Sequence, residues 1–250
     1  VCDNEDTIPL FSQAWWLDAV AGENWDVVLV ERKGTVQACL PYTKNTKMGL
    51  VSLSQPSFTQ SLGPWIRPST ANYSKQLSQQ KDLMQELIVK LPRYDRYKQN
   101  WSSNISNWLP FYWKGFRQTT RYTYTLENIK DSEIIQKNFD TNKKRNIRKA
   151  EPLVTISYDL SPHDFYLFHS AAVLKQGQHI GYSLELFLKL YEAVKNKKSG
   201  TIISAADDAG KLHAVVFIIW DSSRAYNLIC TTDIDYRKYG ASALVFREAI

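Results

Sequence analysis

The 250-residue chain has no apolar run long enough to cross a bilayer. A spanning helix needs about 18 apolar residues in a row, and the most apolar stretch, 214–220, is far shorter. Residues 1–9 are acidic and lack the basic and apolar regions of a signal peptide. A cytoplasmic protein is therefore expected. Cysteine is scarce: Cys2, Cys39 and Cys230 are widely spaced and odd in number, forming no metal-like pair. Cys39 and Cys230 sit in apolar runs, where a free thiol behaves as a small hydrophobe. Histidine is rarer than aromatic residues, and His163 and His169, six apart on a predicted helix, share no metal-binding face. No His, Cys or carboxylate pair has zinc spacing and no Ser-His-Asp elbow is present, so no metal is expected.

What is present is ordinary in bulk. Apolar residues make up 44% and charged residues 22%, the balance of a globular protein long enough for one large domain or two smaller ones. A formal charge of +6 attracts polyanions such as phosphates, nucleotides or nucleic acid without choosing among them. The 8 Trp and 14 Tyr suit aromatic-lined clefts as well as a core and its rim.

Periodicity and turn residues predict helices over 11–21, 73–91, 131–151, 162–175 and 183–196. Ser161 is the expected cap of the fourth. Strands are predicted over 25–31, 35–42, 48–53, 154–158, 201–206, 212–220 and 225–231, with shorter strand-like pieces at 108–112 and 121–126. Residues 55–68 read as a loop rich in Pro, Gly and aromatics. The last segment, 241–250, opens a helix without a closing cap, so a fold truncated at its C-terminus is expected. Two hairpins echo each other: Val27–Val30 lead through Gly34 to an apolar strand, as Ile202 and Ile203 do through Gly210. With matching elements around them, they favour two related α/β halves, 1–126 and 127–250.

The run from Thr231 to Ser242 follows an apolar strand and opens a helix. A strand, a basic Gly-containing turn and exposed helical N–H groups form a physical anion site. Arg237 and Lys238 add side-chain charge to it. A second basic cluster, 142–151, places Lys144, Arg148 and Glu151 along one side of a helix, with Ile147 and Ala150 as its buried contacts. It reads either as a solvated charged face or as a polyanion surface.

These segments carry a resemblance. Arg237-x-x-Gly240-x-Ser242 resembles the acyl-CoA pyrophosphate loop of GNAT acetyltransferases, with Ser242 where that family prefers Gly or Ala. Asn142-Lys143-Lys144-Arg145-Asn146-Ile147-Arg148-Lys149-Ala150-Glu151 resembles the basic helix ahead of the second half of FemAB-like proteins. Phe11-x-x-x-Trp15-Trp16-Leu17-Asp18-Ala19-Val20 and Leu62-Gly63-Pro64-Trp65 are similar to other FemAB-like segments. Their order covers nearly the whole chain, and the finer likeness is to the CelD/BcsL-type acetyltransferase group.

The resemblance implies an α/β fold of tandem GNAT-like mixed sheets flanked by helices. It implies an N-acyltransferase that moves an acyl group from acetyl-CoA or another acyl-CoA to an amine, such as an amino sugar or a cell-envelope precursor. Thr231, Thr232, Arg237, Lys238, Gly240, Ala241 and Ser242 would then hold the donor. Such transfer needs a neutral nucleophile, a route for its proton and donors for the oxyanion. The candidate proton acceptors are Asp233, His179 and His213, the last on a strand whose parity gives it one exposed face. Gln60, Trp65, Lys144, Arg148 and Tyr182 are candidate acceptor contacts, Tyr182 closing a polar loop, 176–182, that either covers a cleft or simply connects two helices. An aminoacyl-tRNA donor stays open, though the long coiled-coil insertion of tRNA-dependent members is missing. So does a non-catalytic binding module on the same scaffold.

Overall fold

The computed structural model describes residues 2, 5–127 and 129–250. Part of the acidic N-terminal stretch, residues 1, 3 and 4, lies outside them. Two compact units are present, Val1–Arg121 and Tyr122–Ile250.

In the first unit, α1 (Ala14–Ala21) precedes the long hairpin β1 (Trp25–Arg32) and β2 (Thr35–Lys47). Then come β3 (Leu50–Ser54), β4 (Trp65–Ile66), α2 (Tyr73–Lys90), β5 (Arg96–Lys98) and α3 (Leu109–Trp113). The sheet runs β1-β2-β3-β5, with β4 on β2; β5 is parallel to β3, so the sheet is mixed. Alternation sorts its side chains. Val28, Val30, Ala38 and Leu40 pack with Met84 and Leu87 of α2, while Val36, Cys39 and Trp65 pack with Ile8. Residues 108–112 had been expected in a strand-like piece. Pro110 at the start of α3 suits a helical first turn, and the turn buries Phe111.

In the second unit, the polar run 131–151, expected as one helix, is two: α4 (Ser132–Lys137) and α5 (Thr141–Ala150). Asp140 divides them, its carboxylate accepting from the Lys143 amide at 2.9 Å as the N-cap of α5. Residues 121–126 form no strand. The rest follows the periodicity: β6 (Thr155–Ser157), α6 (Pro162–Leu174), α7 (Leu184–Asn196), β7 (Gly200–Ala206), β8 (Leu212–Trp220), β9 (Ala225–Thr232) and α8 (Ala241–Glu248). Ser161 caps α6 and Ser183 caps α7, each hydroxyl accepting an amide of the first turn. The sheet order is β6-β7-β8-β9, antiparallel throughout, with β9 on an edge.

Helices cover both faces of this second sheet. Ile147 and Ala150 of α5 and Leu244 of α8 pack on Ile203, Ala205, Ala214 and Val216. On the other face Phe165 of α6 and Phe187 of α7 meet Phe217, with ring centroids 6.2 and 5.7 Å away. Each buried Phe contributes about 2–3 kcal/mol by removal from water. Among the described residues no helix is long and apolar enough to cross a membrane.

Candidate functional site

The candidate site forms where β9 runs out. The Asp233 amide donates to the His213 carbonyl at 3.0 Å, extending the β8–β9 ladder by one hydrogen-bonded pair. Antiparallel pairs alternate, so the next pair, Ala214 with Thr232, is not hydrogen-bonded. The backbone N–H and C=O of Thr232 therefore face the free edge of β9. Beyond it the chain makes a single tight turn, 237–239, and reaches Gly240 at φ +83°. No side chain caps α8; the Ala243 amide donates to the Gly240 carbonyl at 3.0 Å, which leaves the amides of Ala241 and Ser242 as the candidate donors to an anion.

Gly240 is required twice over. Its positive φ disfavours a side chain, and a Cβ there would lie 2.5 Å from the Asn146 carbonyl oxygen of α5. This contact brings the basic helix against the turn. Lys149 of α5 and Lys238 both lie over the Tyr239 ring, their ammonium groups 5.9 and 5.1 Å from its centroid. Arg237, Lys238, Arg148 and Lys149 are exposed. The two basic segments, read separately in the sequence, thus meet around one tyrosine. Lys144 points elsewhere, donating to the Lys137 carbonyl at 2.6 Å. Ala241 is buried and Ser242 half-buried in the first turn of α8.

Asp233 is buried, and both its carboxylate oxygens accept from the Lys175 ammonium at 2.9 Å. The same ammonium reaches Asp235 at 2.6 Å. Burial works to raise the Asp233 carboxyl, but the Lys175 ammonium overcomes it and holds the group below its ordinary value. Hydrogen bonds to Asp233 and then Asp235 push Lys175 up to about 12. Asp233 therefore acts as a clamp between α6 and the turn and is poorly placed to take up a proton.

His213 differs from its expected exposure. It is buried at 3%, because Tyr236 and Tyr239 close over its strand, with ring centroids 4.1 and 5.8 Å away. Its Nε2 meets Asp207 at 3.2 Å, and its Nδ1 has no hydrogen-bond partner among the described residues. It supports the turn from beneath. His179 is exposed on the loop 176–182. Tyr182, at the end of that loop, is half-buried with its ring stacked on His169, 6.0 Å between centroids and 12° between planes.

In the sequence His169 shows only its six-residue spacing from His163, and the structure gives it a partner. Its Nδ1 lies 2.5 Å from the hydroxyl of Thr231 at the end of β9. Burial lowers its imidazole below the ordinary histidine value. A usable signal existed: Phe165, His169 and Ala172 fall four and three apart, on one face of α6, and Phe165 and Ala172 are its buried residues.

The remaining predicted contacts lie in the first unit. Trp65 is buried, its indole N–H donating to Thr7 at 3.1 Å, and the Arg67 guanidinium stacks 5.3 Å from its centroid. Gln60 is exposed. Among the described residues no group of three His, Cys, Asp or Glu side chains could hold a metal ion.

Residues 137–250, which contain the strand, the basic turn and α8, match the acetyltransferase (GNAT) domain family. The fold is GNAT-like. It is also similar to the crystal structure of FemX, with a TM-score of 0.67 over 100% of this chain and 83% of that one, at 10% identity. At that identity the likeness is one of fold. No curated protein sequence matches the chain. The matched segment covers the helix α5 as well as the turn, so both basic segments lie within it.

Proposed function

We propose that this chain transfers an acyl group from acyl-CoA to an amine, with an amino sugar or a cell-envelope precursor as the acceptor class. The observation that carries the reading is the basic turn Arg237–Tyr239 ahead of Gly240 and an uncapped α8, inside the segment that matches the GNAT family. Open helical amides with adjacent cations suit a pyrophosphate. Arg237, Lys238, Gly240, Ala241 and Ser242 would hold the donor's pyrophosphate. The Thr232 amide, turned to the free edge of β9, would donate to the acyl carbonyl as charge develops on it. The finer assignment is a CelD/BcsL-type acetyltransferase working in the cytoplasm, built of two GNAT-like halves, 1–126 and 127–250.

Calorimetric titration with acetyl-CoA, with Arg237→Ala alongside, tests this. Micromolar binding that weakens at least tenfold in the variant is expected. No binding to the folded wild-type chain would refute the acyl-CoA donor.

A second reading is favoured by α5, whose exposed Arg145, Arg148 and Lys149 extend the same cationic face. That surface suits the acceptor arm of an aminoacyl-tRNA, with transfer to a peptidoglycan precursor. Binding of tRNA that falls steeply with salt, with a shallower slope in Arg148→Glu/Lys149→Glu, would favour it over acyl-CoA. A folded chain that binds neither donor yet retains an envelope precursor would mark a non-catalytic binding module.

A further inference from the structure

We infer that His169 is the proton acceptor of the transfer reaction and that Thr231 is the residue that aims it. The inference rests on the acyl-transfer reading above. It starts from a contact between residues 62 positions apart, the 2.5 Å approach of His169 Nδ1 to the Thr231 hydroxyl. Thr231 immediately precedes Thr232, whose amide faces the edge where an acyl carbonyl would lie.

The ring is held as a working base needs to be. Tyr182 stacks on one side at 12°, and Phe165 lies nearly parallel at 29°. With Nδ1–H donating to Thr231, the ring takes the tautomer whose bare lone pair is on Nε2, an atom with no hydrogen-bond partner among the described residues. Burial keeps the imidazole neutral at pH 7, ready to accept a proton. The titratable group stacked on the ring is the Tyr182 phenol, which packs in turn against Tyr166. Farther along α6, the Lys175 ammonium is already shared between Asp233 and Asp235. The other candidates are poorer bases. Asp233 is engaged by Lys175, His213 is sealed beneath Tyr236 with Nε2 on Asp207, and His179 is exposed on a loop.

The step balances without a co-reactant. The lone pair of a neutral amine forms the C–N bond, and the carbonyl π pair moves to oxygen, facing the Thr232 amide. The amine's proton passes to His169 Nε2, giving an imidazolium. The oxygen pair then re-forms the carbonyl, the C–S bond breaks, and the departing thiolate takes the proton from His169.

The test compares wild type, His169→Gln, Thr231→Val and Thr231→Ser from pH 5 to 9, following release of the CoA thiol from acetyl-CoA with glucosamine as probe amine. His169→Gln should lower kcat by about 10²–10⁴-fold, leave acetyl-CoA affinity by calorimetry unchanged, and remove an acidic limb below about pH 6.5. The probe's own ionisation is common to all four proteins. Thr231→Val should lower kcat while Thr231→Ser restores it. A His169→Gln enzyme within about threefold of wild type, or one that keeps the limb, overturns the assignment and leaves donor binding standing. Nitrogen NMR of the His169 imidazole needs no donor. An Nδ1–H tautomer that shifts in Thr231→Val supports the geometry, and an Nε2–H tautomer in wild type overturns it. Failure of wild type to bind acetyl-CoA counts against the donor, and the NMR result then judges His169 by itself.

Discussion

Replacing Gly240 with alanine separates two demands that coincide at this residue. The first is conformational: at φ +83° an L-residue pays about 1–2 kcal/mol, partly offset by about 0.4–1 kcal/mol because alanine restricts the unfolded chain. The second is steric: the new Cβ would sit 2.5 Å from the Asn146 carbonyl oxygen and 3.0 Å from its carbonyl carbon, both backbone atoms of α5. Such overpacking costs about 1–3 kcal/mol. Gly210 provides the control within the same unit, since its φ is +76° and nothing lies within 4 Å of its missing Cβ. Gly210→Ala should cost about 1 kcal/mol and Gly240→Ala about 2–4 kcal/mol, read from urea midpoints at constant m-value. In melting temperature that is about 2–4 °C against roughly 4–16 °C. Equal losses at the two sites would mean that α5 does not press on the turn. The joining of the basic helix to the basic turn would fall with that result.

Two further substitutions probe the scaffold. Lys175→Met strands the buried Asp233 carboxylate and should lower the melting temperature by several degrees at pH 7. Because the folded Asp233 value is depressed, its stabilisation is present above about pH 4, the unfolded value. It is lost as pH falls through the folded value, so the deficit should close in acid. On the alkaline side the Lys175 contribution is full below 10.5 and fades as pH rises through about 12; a deficit that grows in acid would contradict the clamp. In the first unit Thr59→Val removes the acceptor of the fully buried Trp16 indole N–H, now 3.0 Å away. The orphaned donor should cost about 1–3 kcal/mol by urea unfolding followed through tryptophan fluorescence, while Thr59→Ser stays near wild type; an unchanged Thr59→Val midpoint would show that the N–H finds another partner.

Much of the fold was legible because it is written locally. Ser161 and Ser183 stand directly before apolar periodic runs, and both cap helices as that position demands. The hairpin strands β1–β2 and β7–β8 carry their turn signals at Gly34 and Gly210. The break at 138–140 was hidden because the run around it is mostly polar and carries too few apolar residues to show a change of period, so only an N-cap aspartate marks the second start. The site was legible in part. Arg237 to Ser242 lie in one sequence window, so their proximity in one turn and helix start could be read from spacing. The partnership of His169 with Thr231, and of Asn146 with Gly240, joins residues far apart in the chain. Such pairs depend on which helix lies on which sheet face, and no local periodicity specifies that. His213 shows the same limit from the other side: alternation placed it on a face but could not reveal the tyrosines that cover it.

The turn after β9 is held from several directions at once. The Lys175 ammonium ties Asp233 and Asp235 to the end of α6. The His213 ring lies against Tyr236, and the α5 backbone meets Gly240. These supports come from both faces of the sheet, since α6 covers one and α5 and α8 the other. Fixing the exposed Arg237 and Lys238 side chains adds nothing to stability, although the buried contacts beneath them do. An anion site does gain, because amides and cations already in place pay no ordering cost when the ligand arrives. On the acyl-CoA proposal these supports would serve binding as well as folding. Loosening any one of them should weaken donor affinity even where Arg237 and Lys238 remain intact.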